Sequence, residues 1–251
     1  MPISHYIDVY DLNQVANVCN QILREVISLS TVSLAHVTMN PHADSLLHKH
    51  LNMDEIYYIL NGEGFLHVGN RTILVQKGAC VVIPKNTNHK LCNTSGHFLE
   101  HLVFASPPFN AKDVDLIDEL NPIPKIKPSH EEFKFNKVPF TARDGATVYE
   151  LLSKKEQERY GFELAFGILE TGKKAHPHFH NISDEFYYVI SGNGTAMIGD
   201  STIEAIKNRL IYVPKNTVHG LDNSKSSEPL EVLCLSSPPY VESDFIVGEN
   251  K

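Results

Sequence analysis

Apolar residues in this chain come in short bursts rather than long faces. Residues 56–60, 80–83, 98–104, 186–190 and 230–235 are apolar-rich runs, each bounded by turn formers. That spacing predicts strands rather than helices. Asn61-Gly62-Glu63-Gly64 and Ser191-Gly192-Asn193-Gly194 read as hairpin turns, where glycine supplies the positive φ of a tight reversal. Residues 146–152 fit a strand or a helix, and the strand is the preferred reading. One segment breaks the pattern. Behind a plausible N-cap at Asp11, the residues Leu12, Val15, Cys19, Ile22, Leu23 and Val26 recur at helical spacing. The pattern predicts an all-β protein with a short amphipathic N-terminal helix, over 11–27, packed on a barrel or a partner subunit.

The strand pattern is written twice. Residues 48–93 align without gaps to 178–223, and 19 of the 46 positions are identical. Among them are Asp54/Asp184, Tyr57/Tyr187, Tyr58/Tyr188, Gly64/Gly194 and Pro84-Lys85-Asn86-Thr87 against Pro214-Lys215-Asn216-Thr217. Each copy closes on a similar tail, Ser106-Pro107-Pro108-Phe109 and Ser237-Pro238-Pro239-Tyr240, offset by one further residue. A repeat this long means two whole domains, since solenoid units recur every ~20–50 residues. Between the copies, residues 121–129 hold Pro122, Pro124 and Pro128, an extended connector. The boundary is therefore expected near residue 124, with domains over 1–124 and 125–251.

Each copy carries the same constellation of ligand-type residues: His48, His50, Glu55 and His89, then His178, His180, Glu185 and His219. Residues two apart on a strand face one side, so each His-x-His pair points together. The Glu opens the next strand, and the last His arrives after the Pro-Lys-Asn-Thr turn. Three imidazoles and a carboxylate suit a divalent transition metal, one per domain, with Fe, Mn, Ni, Co and Zn all compatible. A tetrahedral zinc would use all four ligands and close the site. A six-coordinate ion would leave positions for water, substrate or dioxygen.

These runs resemble the two signature motifs of the cupin superfamily, G-x5-H-x-H-x3,4-E-x6-G and G-x5-P-x-G-x2-H-x3-N. Residues 172–192 match the first motif in full, and 48–62 match it except that His42 stands at the leading Gly. In the second motif Asn86 and Asn216 replace the Gly after Pro, while Asn208 replaces the leading Gly that Gly78 keeps. Asn tolerates left-handed backbone best among non-glycine residues; His42 is the harder departure to accommodate. The resemblance implies a bicupin, two tandem cupin (double-stranded β-helix, jelly-roll) barrels. It names no reaction, because cupins include dioxygenases, decarboxylases, isomerases, cyclases and non-catalytic binders.

The alternation that aims Glu55 and Glu185 inward also aims Tyr57 and Tyr187 inward. Each tyrosine either donates a hydrogen bond to a metal-bound oxygen or simply fills its barrel. Tyr58 and Tyr188 face away and pack. His176 shares the face of the second His pair, where the first copy has Leu46. It reads either as a substrate contact and proton carrier or as an exposed strand-end residue. Tyr57, Tyr187 and His176 are thus the candidate substrate contacts. Lys85 and Lys215 sit in polar turns and are read as solvated.

Composition narrows the partners. With 22 basic against 30 acidic residues the net charge is −8, which argues against nucleic acid or an anionic membrane surface. No apolar run is long enough to span a bilayer, and Met1-Pro2-Ile3-Ser4-His5 lacks a signal-peptide pattern. Cys19, Cys80, Cys92 and Cys234 form no CxxC pair and read as reduced thiols. A cytoplasmic location is expected. No phosphate loop, hydrolase triad or helix-turn-helix pattern is present. The expectation is a metal-dependent enzyme acting on a small oxygenated metabolite by dioxygenase-type or isomerase-type chemistry, as a monomeric bicupin or homodimer. The alternative is a non-catalytic metal-containing binding or sensor protein.

Overall fold

The alternating pattern becomes two pairs of antiparallel sheets in the computed structural model, which describes residues 5–17, 19, 21–118 and 138–248. The chain divides into two units, one of Leu12–Asn136 and one of Met1–Asp11 with Lys137–Lys251. The first unit holds β2 (Ile22–Ser28), β3 (Ser33–Met39), β4 (His48–His50), β5 (Asp54–Asn61), β6 (Glu63–Val68) and β7 (Arg71–Gln76). It continues with β8 (Cys80–Ile83), β9 (His89–Cys92), β10 (Leu99–Ser106) and β11 (Val114–Leu116). These form the sheets β2-β3-β10-β5-β8 and β11-β4-β9-β6-β7. Their inward residues, among them Val37, Tyr57 and Ile59 from one sheet and Leu66, Ile73 and Leu91 from the other, make one buried cluster.

The second unit opens with β1 (Tyr6–Asp8), then β12 (Phe140–Thr141), β13 (Thr147–Glu150), helix α1 (Lys154–Tyr160) and β14 (Glu163–Leu169). It continues with β15 (His178–Phe179), β16 (Asp184–Ser191), β17 (Asn193–Ile198) and β18 (Ser201–Ile206). Last come β19 (Arg209–Val213), β20 (His219–Asp222), β21 (Leu230–Ser237) and β22 (Ile246–Val247). The sheets are β1-β19-β16-β21-β14-β13-β12 and β18-β17-β20-β15-β22. Val189, Ile211 and Val232 of one sheet and Ala196, Ile203 and Leu221 of the other share its core. Two-sheet, strand-built units of this kind are the all-β tandem barrels expected. Among the described residues no helix is long and apolar enough to cross a membrane.

Among the described residues of 11–27 the expected helix is not formed. Ile22–Ser28 pairs antiparallel with β3, Val15 bridges Leu23, and only Val9–Asp11 makes a 3-10 turn. A register shift between Glu25 and Ile27 interrupts the two-residue alternation. An extra residue of that kind respaces the apolar positions and mimics a helical period. β-Branched Ile22, Val26 and Ile27 favour the strand. The strand preferred over 146–152 is β13. Helix α1 arises from a capping box, Ser153 with Glu156, and ends on left-handed Gly161 (φ 72°).

The boundary expected near 124 lies outside the described residues. The chain does not, however, fill its two units in simple order. β1 completes the second unit by pairing with β19, Tyr6 against Ile211 and Asp8 against Arg209. Asp8 accepts two hydrogen bonds from Arg209, at 2.6 and 3.0 Å, and the guanidinium lies 4.3 Å from the Tyr6 ring centre. The departures from the cupin motifs leave the backbone intact. His42, Asn86, Asn208 and Asn216 all take left-handed φ, between 58° and 66°.

Candidate metal centres

In each unit the strands bring the four expected side chains together, all buried, with potential ligand atoms within 4.8 Å of one another. β4 and β9 pair at His48 and His89, and β15 and β20 pair at His178 and His219. These register points place the imidazole ring centres 4.1 and 4.2 Å apart. Glu55 and Glu185 enter from β5 and β16, on the other sheet of each barrel. Glu55 Oε2 is 3.1 Å from His89 Nε2 and 3.2 Å from His50 Nε2; Glu185 Oε2 is 3.0 Å from His219 Nε2 and 3.5 Å from His180 Nε2.

Backbone carbonyls fix which nitrogen of most rings faces inward. Nδ1 of His48, His89, His178 and His219 lies 2.8–3.0 Å from the carbonyls of Leu46, Thr87, His176 and Thr217. His180 Nδ1 lies 3.1 Å from the Asp244 carbonyl. An Nδ1–H donated outward leaves the Nε2 lone pair free for a cation. Burial foremost, then the neighbouring imidazoles His89 and His219, push His48 and His178 down to about 4, so both stay neutral near pH 7. Burial alone would raise the Glu55 and Glu185 carboxyls. The adjoining imidazoles outweigh it and hold both below the usual carboxylate range. Nε2 of His50 and of His180 is buried and faces the carboxylate without a well-aligned hydrogen bond. Inward Nε2 atoms around an ionised carboxylate are the donor set a divalent metal requires.

Tyr57 and Tyr187 both face inward. Tyr187 donates a 2.7 Å hydrogen bond to Glu185 Oε2, and Tyr57 lies beside Glu55. Burial and the adjacent carboxylate raise both phenols, so they remain proton donors. His176 is exposed, and its backbone carbonyl rather than its ring reaches the site. Lys85 and Lys215 are exposed, as their turns suggested.

Several site residues escaped the sequence reading. Ser236 donates to Glu185 Oε1 at 3.2 Å, and Cys234 Sγ lies 3.5 Å from the same oxygen. The first barrel has Ala105 and Val103 at these places, so nothing in the single-copy sequence marked them. Asp113 and Asp244 were legible in principle. Each lies seven residues beyond the Ser of its Ser-Pro-Pro tail, at the same offset of 131. Asp113 accepts from the backbone of Asn52 and Met53, and Asp244 from Asn181, Ile182 and Ser183, clamping the turn between His-x-His and Glu.

Both centres open onto cavities. His48, His50, Glu55 and Tyr57 line one of about 330 Å³. His178, His180, Glu185 and Tyr187 line one of about 690 Å³. The larger also presents Glu163, whose carboxyl burial pushes up to about 7.

Comparison with known proteins agrees with this geometry. The cupin-domain family pattern matches residues 35–103 and 165–236. An uncharacterized protein of Methanocaldococcus jannaschii is 33% identical over 124 residues, 49% of this chain and 95% of that protein. An oxalate-binding protein of Thermotoga maritima is 34% identical over 68 residues, 27% of this chain and 56% of that protein. Among solved structures, Lactobacillus farciminis oxalate decarboxylase in a formate complex superposes with a TM-score of 0.72 at 17% identity, covering 97% of this chain and 88% of that one. Bacillus subtilis oxalate decarboxylase gives 0.67 at 17% identity, covering 95% and 77%. At such identity the likeness is one of fold.

Proposed function

The chain belongs to the cupin-domain family in both halves, and on that premise we propose that it is a metal-dependent bicupin enzyme acting on a small oxygenated metabolite. The observation that carries this reading is the opening of each ligand set onto a cavity lined by its His-x-His pair, carboxylate and tyrosine. A structural ion would need no such chamber. His48, His50, Glu55 and His89 would hold one ion, and His178, His180, Glu185 and His219 the other. A bound divalent ion would supply Lewis acidity and a template for substrate oxygens. The protein's own groups do the rest. Carbonyl-anchored imidazoles fix the ligand geometry, and Tyr57 and Tyr187 keep a phenolic proton beside Glu55 and Glu185. Apolar walls limit water at the reacting oxygen. Dioxygenase-type or isomerase-type chemistry fits this set, and a cytoplasmic, small-molecule role accords with it. Oxalate decarboxylase of Bacillus subtilis has Mn(II) centres, which makes Mn the first metal to test.

Elemental analysis of protein purified without added metal tests the reading. The expected result is about two equivalents per chain, falling by about one in His50→Ala and by about one in His180→Ala. Metal near zero after metal-replete growth would overturn it. The oxalate-binding relative favours a second reading, binding without turnover, which metal-replete protein lacking any activity across oxygenated acids would support.

A further inference from the structure

We propose that the cavity of the C-terminal barrel is built for an oxygen-chelating acid or enol that carries one negative charge and an apolar body, a class that excludes the oxalate dianion. The inference rests on a metal at the second ligand set and adds the substrate class. Size is the first argument. At about 690 Å³ this cavity is twice the 330 Å³ of its counterpart, and both fall in the range of small-molecule sites. A two-carbon dianion leaves most of the larger chamber unfilled. The walls are the second argument. Phe140, Val148, Leu169 and Val241 line it, so a ligand body gains by being apolar.

Charge is the third. Beside the metal ligands and Glu163, the carboxyls of Asp144, Glu150, Glu158 and Glu242 line the chamber, against Arg143 and Lys154. Both cations are already engaged. Arg143 donates to the carbonyls of Glu242 and Phe245 at 3.3 Å and lies over the Phe245 ring, and Lys154 pairs with Glu150 at 3.1 Å. A ligand carboxylate held away from the metal would therefore meet several carboxylates against two cations, one already paired with Glu150, which is selectivity by repulsion. Glu163 adds a separate polar contact. It is 6% exposed, its Oε2 has no hydrogen-bond partner, and it lines the cavity. Burial favours its protonated form, which donates to a neutral ligand oxygen. The smaller cavity has Ser33 at the equivalent strand position, and its charged lining is Glu25 and Glu55 beside the histidines.

Ala35 and Ala165 occupy equivalent positions 130 residues apart, and each lines its own cavity, so they make a matched pair. The test is calorimetric titration of the metal-loaded full chain with phenylpyruvate and with oxalate, with metal content measured on the same sample. Phenylpyruvate is expected to bind once per chain, at least tenfold more tightly than oxalate. Ala165→Phe should weaken it tenfold or more at unchanged metal content, Ala165→Leu should weaken it less, and Ala35→Phe should leave it within twofold. Oxalate binding as tight as phenylpyruvate, sensitivity to Ala35 instead of Ala165, or no phenylpyruvate binding by metal-replete protein would each overturn the inference alone. Metal-free protein would overturn the proposed function and this inference with it.

Discussion

Glu185 is held from two sides, and Glu55 is not held the same way. Oε2 of Glu185 faces the imidazoles and Tyr187, while Oε1 accepts from Ser236. Ala105 and Val103 in the first barrel have no donor to offer Glu55. Fixing a carboxylate through its outer oxygen reduces what metal binding must order, and such partners change affinity by ~10–100-fold. Ser236→Ala is therefore expected to weaken metal at the second centre by about tenfold and spare the first. Competition titration with a chelating dye reads this, and parallel loss at both centres would refute it. His101, wholly buried beside Tyr57, gives a second expectation. Burial first, then nearby His36, push it from 6.5 down to about 3. The unfolded chain thus binds a proton that the folded one refuses between those values. Stability should fall as pH falls through that window, by at most about 1.4 kcal/mol per unit from this residue. His101→Val, which copies Val232, should flatten the fall; equal urea midpoint shifts between pH 7 and pH 5 in both proteins would exclude this role.

At the scale of elements, the turns carry the sharpest constraint. Gly192 has φ 89°, and a Cβ there would meet the Pro229 carbonyl oxygen at 2.5 Å and Leu230 Cα at 2.9 Å. Both are backbone atoms with little freedom to move. Gly172 has φ 80° but open space around it, and the first barrel places His42 at the equivalent point with φ 58°. Gly172→Ala should then cost about 1–2 kcal/mol for left-handed backbone alone, and Gly192→Ala clearly more. Chemical denaturation of the two variants measures the gap, and equal losses would contradict it. The same elements show what a sequence can reveal. Hairpins such as Asn61-Gly62 and the strands around them were legible because alternation and turn chemistry agree. β2 was misread because its register shift respaced Ile22, Leu23 and Val26. Helix α1 was missed because it is too short to show an apolar period, although Ser153, Glu156 and Gly161 announce its ends. The ligand sets were legible since they are duplicated and local in sequence. Glu163, Cys234 and Ser236 were not, because only strand register brings them to Glu185.

For the whole molecule, the telling contact is that of Asp8 with Arg209. The Arg209 residue is only 9% exposed, so removing its partner leaves a poorly solvated cation. Asp8→Ala should lower the stability of the second unit by about 1–3 kcal/mol, given that the Asp8 side chain is 35% exposed. Differential scanning calorimetry should show one transition moved down in temperature; an unchanged thermogram would mean that the pair is decorative. The contact also sets a timetable. Asp8 and Arg209 are separated by 201 positions, and translation proceeds at roughly 5–20 residues per second. Once made, this strand must therefore wait roughly 10–40 s for the strand it joins, through the entire synthesis of the other barrel.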